Sequence, residues 1–447
     1  MTSDNKAPVP DVERSSTDAE SAEDLRTNTQ FLINSTGTDD PPPPIKGLPR
    51  LMALIMPANL CIFLLWGAIP QILLPQQITL AFGDDGGANV ANLAIVSTIG
   101  AFSAMLAQPI AGEISDRTRS RFGRRAPWIV LGGLAGSLAL VGLAFADSLV
   151  GFIIAWTLVQ VCFNFAQGPL SAIMPDRVPL KRRGTFSALF GLGLMVGSVA
   201  GQIIGALFFG SITFGYVFFA LLALVFLGLF VVMNPDYASV NLRTEPFRLR
   251  AFLGMFWVNP IKYPDFFWAF TGRLLLFTGY FAVTGYQLYL LQYYFHVERP
   301  EIVIPVLAGL GLVGTVVATL ISGPLSDKVG RRKPFVIASG VVVTVAFVVP
   351  WLWQDLAAWA ITVVLAGFGF GMYQAVDTAL ISQVLPSAKS FGKDLGVINI
   401  AATLPQTIAP GLSGAIVLVA GYQGLFPVAI VIGIMGAVAV MPIKSAR

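Results

Sequence analysis

Two charged side chains stand alone inside long apolar stretches of the chain, and together they could support proton chemistry. Arg273 and Asp377 each lie about eight residues from the end of such a stretch, which is about 12 Å at the rise of a helix. Because a charge in hydrocarbon is costly, opposite charges at equal depth are expected to face each other or a shared watery cavity. Asp377 would then accept a proton and free Arg273 to bind ligand hydroxyls. The alternative is a static ion pair that only holds two helices together.

Uncharged polar side chains recur in four of the apolar stretches at steps of three and four residues, which places each set on one helix face. The candidates for a ligand cavity are Asn164, Gln167, Tyr280, Thr284, Gln287, Gln374, Asn399 and Gln406. Amides both donate to and accept from hydroxyls, and aromatic rings stack on the C–H faces of a sugar. The set therefore predicts a neutral, polyhydroxylated small molecule as ligand. Hydrogen bonding between helices, which is common for amides in membranes, is the alternative.

The composition indicates which elements must hold these residues. Of 447 residues, 55% are hydrophobic and 12% are charged, and the mean hydropathy is +0.75. Since soluble proteins carry about 25% charged residues, a soluble fold is excluded. A membrane β-barrel is disfavoured because its strands alternate, whereas these apolar runs are unbroken. The sequence predicts an all-α polytopic membrane protein with twelve spans, near 52–82, 88–111, 127–147, 150–174, 185–209, 213–233, 264–294, 302–322, 334–352, 357–384, 395–417 and 423–442.

The distribution of charge predicts how the chain is oriented in the membrane. Nineteen Lys and Arg residues fall in the loops on one side of the spans, and Arg299 is the one that falls on the other side. Because Lys and Arg accumulate in cytoplasmic loops, both termini are expected to be cytoplasmic, in the plasma (inner) membrane. Residues 1–50 are rich in Ser, Thr, Asp, Glu and Pro and are predicted to form a disordered tail.

Other features of the sequence argue against several function classes. Cys61 and Cys162 lie inside apolar runs and His296 is the single histidine, so neither a disulfide framework nor a metal site is expected. The sequence has no nucleophile–base pair and no phosphate loop, so we expect neither an enzyme nor a cofactor. The net charge of +4 follows from the basic loops and lacks the interleaved aromatics of a nucleic-acid surface.

The two halves of the sequence repeat each other at a spacing of 207 residues. The Gly-Arg-Arg at 123–125 recurs at 330–332, and Gln167 recurs as Gln374. Such duplicated halves are typical of transporters, which bind substrate near the midplane and rock around it. A channel does not need the duplication, but the sequence alone leaves it open. The predicted division is a tail over 1–50, a six-helix bundle over 51–233, a cytoplasmic loop over 234–263 and a second bundle over 264–447.

The repeated motif resembles the conserved loop between helices 2 and 3 of the major facilitator superfamily. Its first copy runs from Gly-Glu-Ile-Ser-Asp-Arg at 112–117 to Gly-Arg-Arg at 123–125, and its second copy runs from 323 to 332. The resemblance implies two six-helix bundles, a cavity lined mainly by helices 1, 4, 7 and 10, and a loop that latches the cytoplasmic side shut. The residues assigned to this gate are Gly112, Asp116, Arg117, Gly123, Arg124, Arg125, Gly323, Asp327, Gly330, Arg331 and Arg332. The alternative is that their charges only enforce topology.

A longer stretch, from Ser115 to Trp128, is similar to the glycoside–pentoside–hexuronide cation symporters and the sucrose–proton symporters. That resemblance implies a sugar or glycoside carried with a proton or a sodium ion. Sodium-coupled members place acidic residues inside helices 2 and 4, whereas this chain has Asn92 and Gln108 in span 2 and amides in span 4. The expected coupling ion is therefore H⁺.

The leading hypothesis is a monomeric secondary active transporter that works by alternating access and moves a sugar or glycoside with a proton across the lipid bilayer. The first alternative is a proton-driven exporter of an amphipathic metabolite or drug, whose cavity would be more aromatic and poorer in amides. The second alternative is a receptor or scaffold that has lost transport, and it predicts no flux driven by a gradient.

Overall fold

The computed structural model describes residues 47–240, 260–384 and 391–443. Inside these ranges the description leaves out the side chains at 175, 180–181, 327, 378–379, 381–384, 391–399 and 402. Twelve of the described helices are long and apolar enough to cross a membrane, which confirms the predicted fold class. Except for residues 47–50, the predicted tail lies outside the described residues. The first described helix begins at Leu48, within the last three residues of the predicted tail.

The first half of the chain contributes six membrane helices to the bundle. They are α1 (Leu48–Phe82), α2 (Gly86–Arg117), α3 (Ala126–Leu143), α4 (Leu149–Ser171), α5 (Leu180–Leu207) and α6 (Ile212–Met233). The second half contributes the other six. They are α7 (Pro264–Thr284), α8 (Pro300–Val329), α9 (Lys333–Leu352), α10 (Leu356–Val384), α11 (Phe391–Ala420) and α12 (Leu425–Ala439).

Local sequence signals explain where several helices begin and end. Helix α2 starts after Asp85, whose side chain accepts from the backbone N–H groups of Gly87 and Ala88. Helix α4 starts after Ser148, which caps it in a similar way. Helix α8 ends at Gly330, whose φ of 66° is the left-handed conformation that favours glycine at a helix end.

Two helices are interrupted near the same end of the bundle. Helix α1 contains a π-helical turn at Ile69–Leu73, which includes Pro70. The predicted span over 264–294 is not a single helix, because α7 ends at Thr284 and the chain continues through Gln287–Tyr289 and a π turn at Leu290–Tyr294. Hydropathy does not mark this break, since the apolar pattern continues through it. Non-helical backbone at membrane depth is tolerated where neighbouring helices cover it.

The two halves pack their helices in the same way. In the first half α1 packs on α5 and α6, α2 packs on α4, and α3 packs on α4 and α6. In the second half the corresponding pairs are α7 with α11 and α12, α8 with α10, and α9 with α10 and α12. The halves meet along α2 with α11 and along α5 with α8. This exchange of equivalent helices is what a pseudo-twofold axis between duplicated bundles requires.

Glycines bring the backbones of two helix pairs into direct contact. A Cβ atom at Gly193, Gly197 or Gly201 of α5 would lie 2.3–2.8 Å from a carbonyl oxygen of α1. In the second half, a Cβ at Gly367 or Gly371 of α10 would lie 2.3–2.4 Å from a carbonyl oxygen of α8. Small residues at such positions let membrane helices pack closely, so each bundle is built as a stiff unit.

Candidate functional site

We name the two ends of the bundle by their loops. The basic end carries the loops at 118–125 and 330–332, and the far end carries the loops at 83–85 and 285–299. The candidate site lies between these ends, on α1 and α4 of the first half and on α7 and α10 of the second half.

Arg273 of α7 and Asp377 of α10 form an ion pair, with 3.1 Å between Arg273 Nη1 and Asp377 Oδ2. Their side chains are 13% and 8% exposed, so the pair is largely shielded from solvent. The guanidinium also lies over the ring of Phe277, 5.4 Å from its centre, and Arg273 Nε has no hydrogen-bond partner among the described residues. The predicted contact is therefore present, whereas its role in proton transfer stays a prediction.

A cluster of aromatic rings on α7 and α10 includes Phe277, the ring that Arg273 lies over. Tyr280 stacks on Phe370 with ring centres 4.6 Å apart, and Phe277 lies against Phe370 and Tyr373. The same rings line a small cavity together with Leu276, Ser339, Val343 and Gly369. The sequence placed Tyr280 on the cavity face, but it did not single out Tyr373, which lies one turn before Asp377.

In the first half, Trp66 of α1 donates from Nε1 to Gln167 Oε1 of α4, at 3.1 Å. Both side chains are half-buried. The sequence predicted Gln167 as a cavity residue and missed Trp66. The repeat spacing was the signal that could have found it, because Trp66 is the first-half counterpart of Arg273.

The remaining cavity candidates fall into different environments. Asn164 is buried, and its Nδ2 donates to the carbonyl of Gln160 on its own helix. Thr284 likewise donates to the carbonyl of Tyr280 within α7. Both side chains donate hydrogen bonds within their own helix in this conformation, so neither hydrogen bond demonstrates a ligand site.

Three further candidates are amides that differ in their exposure. Gln374 and Gln406 are exposed, and Gln287 is half-buried with an Nε2 that lacks a partner among the described residues. An amide donor without a partner is a group that a ligand hydroxyl can satisfy. The side chain of Asn399 lies outside the described part of the chain.

At the far end, tyrosines of the second half join the two halves. Tyr289 donates to the carbonyl of Pro75 at 3.0 Å, and Tyr293 donates to Asp84 Oδ1 at 2.9 Å. Tyr422 donates to the carbonyl of Gly86 at 3.3 Å. These contacts close the far end of the bundle between α1, the 83–85 loop and the segment after α7.

At the basic end, the gate arginines pair inside the first half. Arg125 contacts Asp116 at 2.5 Å and Asp176 at 2.8 Å, and it donates to Ser115 at 2.5 Å. Arg124 contacts Asp176 at 2.5 Å. Burial opposes the charge on Arg125, but the two carboxylates outweigh that cost and raise the pKa of its guanidinium.

The sequence hypothesis has these residues pair across the cytoplasmic face of the two halves, whereas the described arginines pair within the first half. Asp176 is the physical reason, because it follows α4 directly and gives both arginines a partner in their own half. Arg117 also pairs within its own helix, with Glu113 at 2.5 Å. A latch across the halves in another conformation stays a prediction.

The gate glycines differ in what their surroundings require. Gly123 has a φ of +86°, and a Cβ there would lie 2.3 Å from the Asp236 side chain, so this turn needs glycine. A Cβ at Gly112 or Gly323 would meet nothing within 4 Å, so the described surroundings do not require glycine at either position. In the second copy Arg331 is exposed, and the side chain of Asp327 lies outside the description.

Comparison with known sequences gives a family model and partial relatives. The model of the Major Facilitator Superfamily matches residues 51–314 and 287–446. Sucrose transport protein SUC4 of Arabidopsis thaliana is 32% identical over 130 residues, which cover 25% of this chain and 26% of that protein. The general alpha-glucoside permease of Schizosaccharomyces pombe is 28% identical over 129 residues, which cover 25% of this chain and 23% of that protein. The matches thus span about a quarter of these relatives.

Comparison with solved structures gives matches along nearly the whole chain. A D-xylose–proton symporter aligns with a TM-score of 0.65 and 14% identity, over 89% of this chain and 98% of that chain. The nucleoside transporter NupG aligns with a TM-score of 0.68 and 13% identity, over 89% of this chain and 100% of that chain. At these identities the likeness establishes the fold alone.

Proposed function

The chain belongs to the Major Facilitator Superfamily, and on that premise we propose that it is a secondary active transporter which moves a sugar or glycoside together with a proton. Binding and release alternate between the two sides of the membrane as the halves rock around the central site. The observation that carries the proposal is the Arg273–Asp377 pair, a shielded ion pair between α7 and α10.

The chemistry of this pair suits a proton better than a metal cation. Protonation of Asp377 removes its charge and with it most of the attraction to Arg273. The freed guanidinium then has donors available for substrate hydroxyls, in addition to its unpartnered Nε. A single carboxylate already paired with Arg273 offers Na⁺ a poor ligand set, because that ion needs several oxygen atoms. Proton uptake and substrate binding are thereby coupled through one side chain.

The neutral groups near the axis support a polyhydroxylated substrate. Gln167, Gln287 and Gln374 present amides, and Trp66 and Tyr280 present aromatic surface. Such a lining pairs with hydroxyls and covers C–H faces of a ring, whereas a charged substrate would need a second unpaired charge. The printed names of the partial relatives, a sucrose transporter and an alpha-glucoside permease, point to the same chemical class.

The proposal includes an orientation, a location and an assembly state. The basic end faces the cytoplasm, so both termini lie inside the cell and the far end faces outward. The protein works as a monomer in the plasma membrane without a cofactor, and the contacts at the far end support an inward-facing conformation.

The test is sugar uptake into proteoliposomes with an inside-alkaline pH gradient and equal sodium on both sides. Sucrose, maltose, methyl α-glucopyranoside and xylose form the panel. We expect the wild type to accumulate one of them above its outside concentration. Asp377→Asn should lose this accumulation but retain exchange of labelled for unlabelled sugar, because exchange needs no net proton movement.

Asp147→Asn is the matched control, since it makes the same substitution at an exposed position between α3 and α4. It should accumulate sugar as the wild type does. Accumulation that follows a sodium gradient and ignores pH contradicts proton coupling. Undiminished accumulation by Asp377→Asn removes that residue from the mechanism. If none of the four sugars accumulates and the protein instead drives efflux of an amphipathic dye with a proton gradient, the result favours a proton-driven exporter over the proposed symporter.

A further inference from the structure

Trp66 holds in the first half the position that Arg273 holds in the second, since the two are one repeat spacing of 207 residues apart. Each is on the first helix of its half and contacts the fourth helix. Trp66 donates to Gln167 of α4, and Arg273 pairs with Asp377 of α10. The pseudo-twofold axis therefore sets an aromatic ring opposite the charged pair.

The indole of Trp66 is supported from behind by two buried rings. Trp156 lies edge-to-face with it, with ring centres 6.2 Å apart, and Phe163 does so at 6.3 Å. Edge-to-face contacts of this kind are favourable and directional. Gly100 and Gly136 make room for the supporting rings, because a Cβ at either would lie within 2.9 Å of one of them. The orientation of Trp66 is thus fixed before any ligand arrives.

Trp66 also lies at an intermediate depth in its bundle. It packs against the buried cluster that extends to the far end, which includes Leu73 and Trp156. It packs as well against the separate cluster near the basic end, which includes Leu51 and Phe186. The side chain is half-buried, so part of the indole remains uncovered at the level between the two clusters.

We infer that Trp66 is a binding residue for the substrate, an aromatic platform on the wall opposite Arg273 and Asp377. The inference rests on the proposed function and narrows its substrate to a pyranoside. One C–H face of the pyranose ring lies on the indole, and the hydroxyls on its rim reach the guanidinium and the neighbouring amides. Gln167 holds the indole N–H and keeps the ring plane in place, which lowers the ordering cost of binding. An open-chain polyol has the same hydroxyls but no flat apolar face.

The test measures binding by titration calorimetry on the purified full chain in detergent, without any gradient. The probes are sucrose, maltose and methyl α-glucopyranoside, with glucitol as the open-chain comparison. Trp66→Leu and Trp66→Met remove the flat ring, and Trp66→Phe keeps one. We expect the Kd of the pyranoside that binds to rise about tenfold in the first two variants and less in the third. Glucitol should bind more weakly than this pyranoside in the wild type and lose nothing in the variants.

Trp128→Leu is the matched control. Trp128 is also half-buried and donates from Nε1 to a side chain, Thr118 at 2.6 Å, but it lies at the basic end. Its substitution should leave the Kd unchanged. A wild-type Kd in folded Trp66→Leu or Trp66→Met overturns the platform, and so does a wild type that binds none of the pyranosides. A wild type that binds a pyranoside but does not accumulate it contradicts proton coupling and leaves the platform to be judged by the variants.

Discussion

The two halves of the molecule hold equivalent positions with unlike chemistry. In the first half Trp66 donates to Gln167, and the counterpart of Asp377 is the buried Leu170. In the second half Arg273 pairs with Asp377. Because the same helix pairs pack in both halves, the scaffold did not force this difference. The duplicated halves share one helix packing. A few differences in sequence make the contact between the first and fourth helices neutral in the first half and charged in the second.

The two halves also carry a phenylalanine at one equivalent position, and its contacts differ between them. Phe163 and Phe370 are repeat counterparts, 207 residues apart. Phe163 supports Trp66 edge-on, whereas Phe370 stacks on Tyr280. The same aromatic side chain therefore packs on the hydrogen-bonded Trp66 in one half and, in the other, on Phe277, the ring that Arg273 lies over.

The largest expected effect comes from giving the second half the residue of the first. Asp377→Leu leaves Arg273 shielded from solvent without its carboxylate. Removing one member of a buried ion pair costs about 3–5 kcal/mol, so the free energy of unfolding should fall by that order. The thermal unfolding midpoint in detergent measures the loss, and transport driven by a pH gradient should vanish with it.

The double substitution Arg273→Trp with Asp377→Leu is the informative control. It copies the first-half residues at both positions and removes the unpaired charge. The thermal unfolding midpoint should therefore return most of the way to the wild-type value, while transport stays absent. If the single variant unfolds at the wild-type temperature, the ion pair contributes nothing to stability and the contrast between the halves is only chemical.

An intermediate effect is expected at Asp176, which bridges Arg124 and Arg125 in the first half. The sequence counterpart of Asp176 in the second half is Gln383, so the copies of this motif differ. Asp176→Asn should lower the free energy of unfolding by about 1.5–3 kcal/mol, because two charge-assisted contacts are lost. Glu113→Gln breaks a more exposed pair within one helix and should cost about 0.3–0.5 kcal/mol. Equal shifts in the two unfolding midpoints would contradict the bridging role.

The smallest effect concerns the support behind Trp66. Gly136→Ala on α3 places a methyl group 2.9 Å from the ring of Phe163, and overpacking of this kind costs about 1 kcal/mol or somewhat more. Its counterpart in the second half is Val343, which fills the equivalent space. Gly142→Ala on the same helix meets nothing within 4 Å and should be neutral or slightly stabilising. The two unfolding midpoints should therefore move in opposite directions or differ clearly.

The sequence predicts much of the fold because membrane-spanning helices can be recognised from their long runs of apolar residues. The predicted spans overlap the twelve helices, and the repeat spacing carries through to equivalent helix pairs. Hydropathy does not reveal a break in a helix when the residues on both sides of the break are similarly apolar. The segment after Thr284 stays apolar while its tyrosines turn toward the first half, so one long span was predicted instead of an interrupted one.

The site could be predicted where a charged residue lies within an apolar span. Arg273 and Asp377 stood out by charge, and their contact is present. Trp66 did not stand out, because tryptophan is unremarkable in an apolar helix and its partner lies 101 positions away. The partner of the gate arginines was missed for a related reason, since nothing in the spacing of Asp176 tells which loop it contacts in space.

The closure of the far end has a consequence for how the protein can vary. Among the described residues, the hydroxyls of Tyr289, Tyr293 and Tyr422 donate across the halves at the far end, and two of their acceptors, at Pro75 and Gly86, are main-chain carbonyls. A change of residue at Pro75 or Gly86 does not delete the carbonyl, so a first-half substitution cannot remove these two bonds in this way, whereas the bond from Tyr293 to Asp84 depends on a first-half side chain. Tyr289 and Tyr422 can each lose a hydroxyl through a single codon change to Phe. For these two bonds, inherited changes in how readily the far end opens therefore arise in the second half of the gene, and only the third bond can be lost from either half.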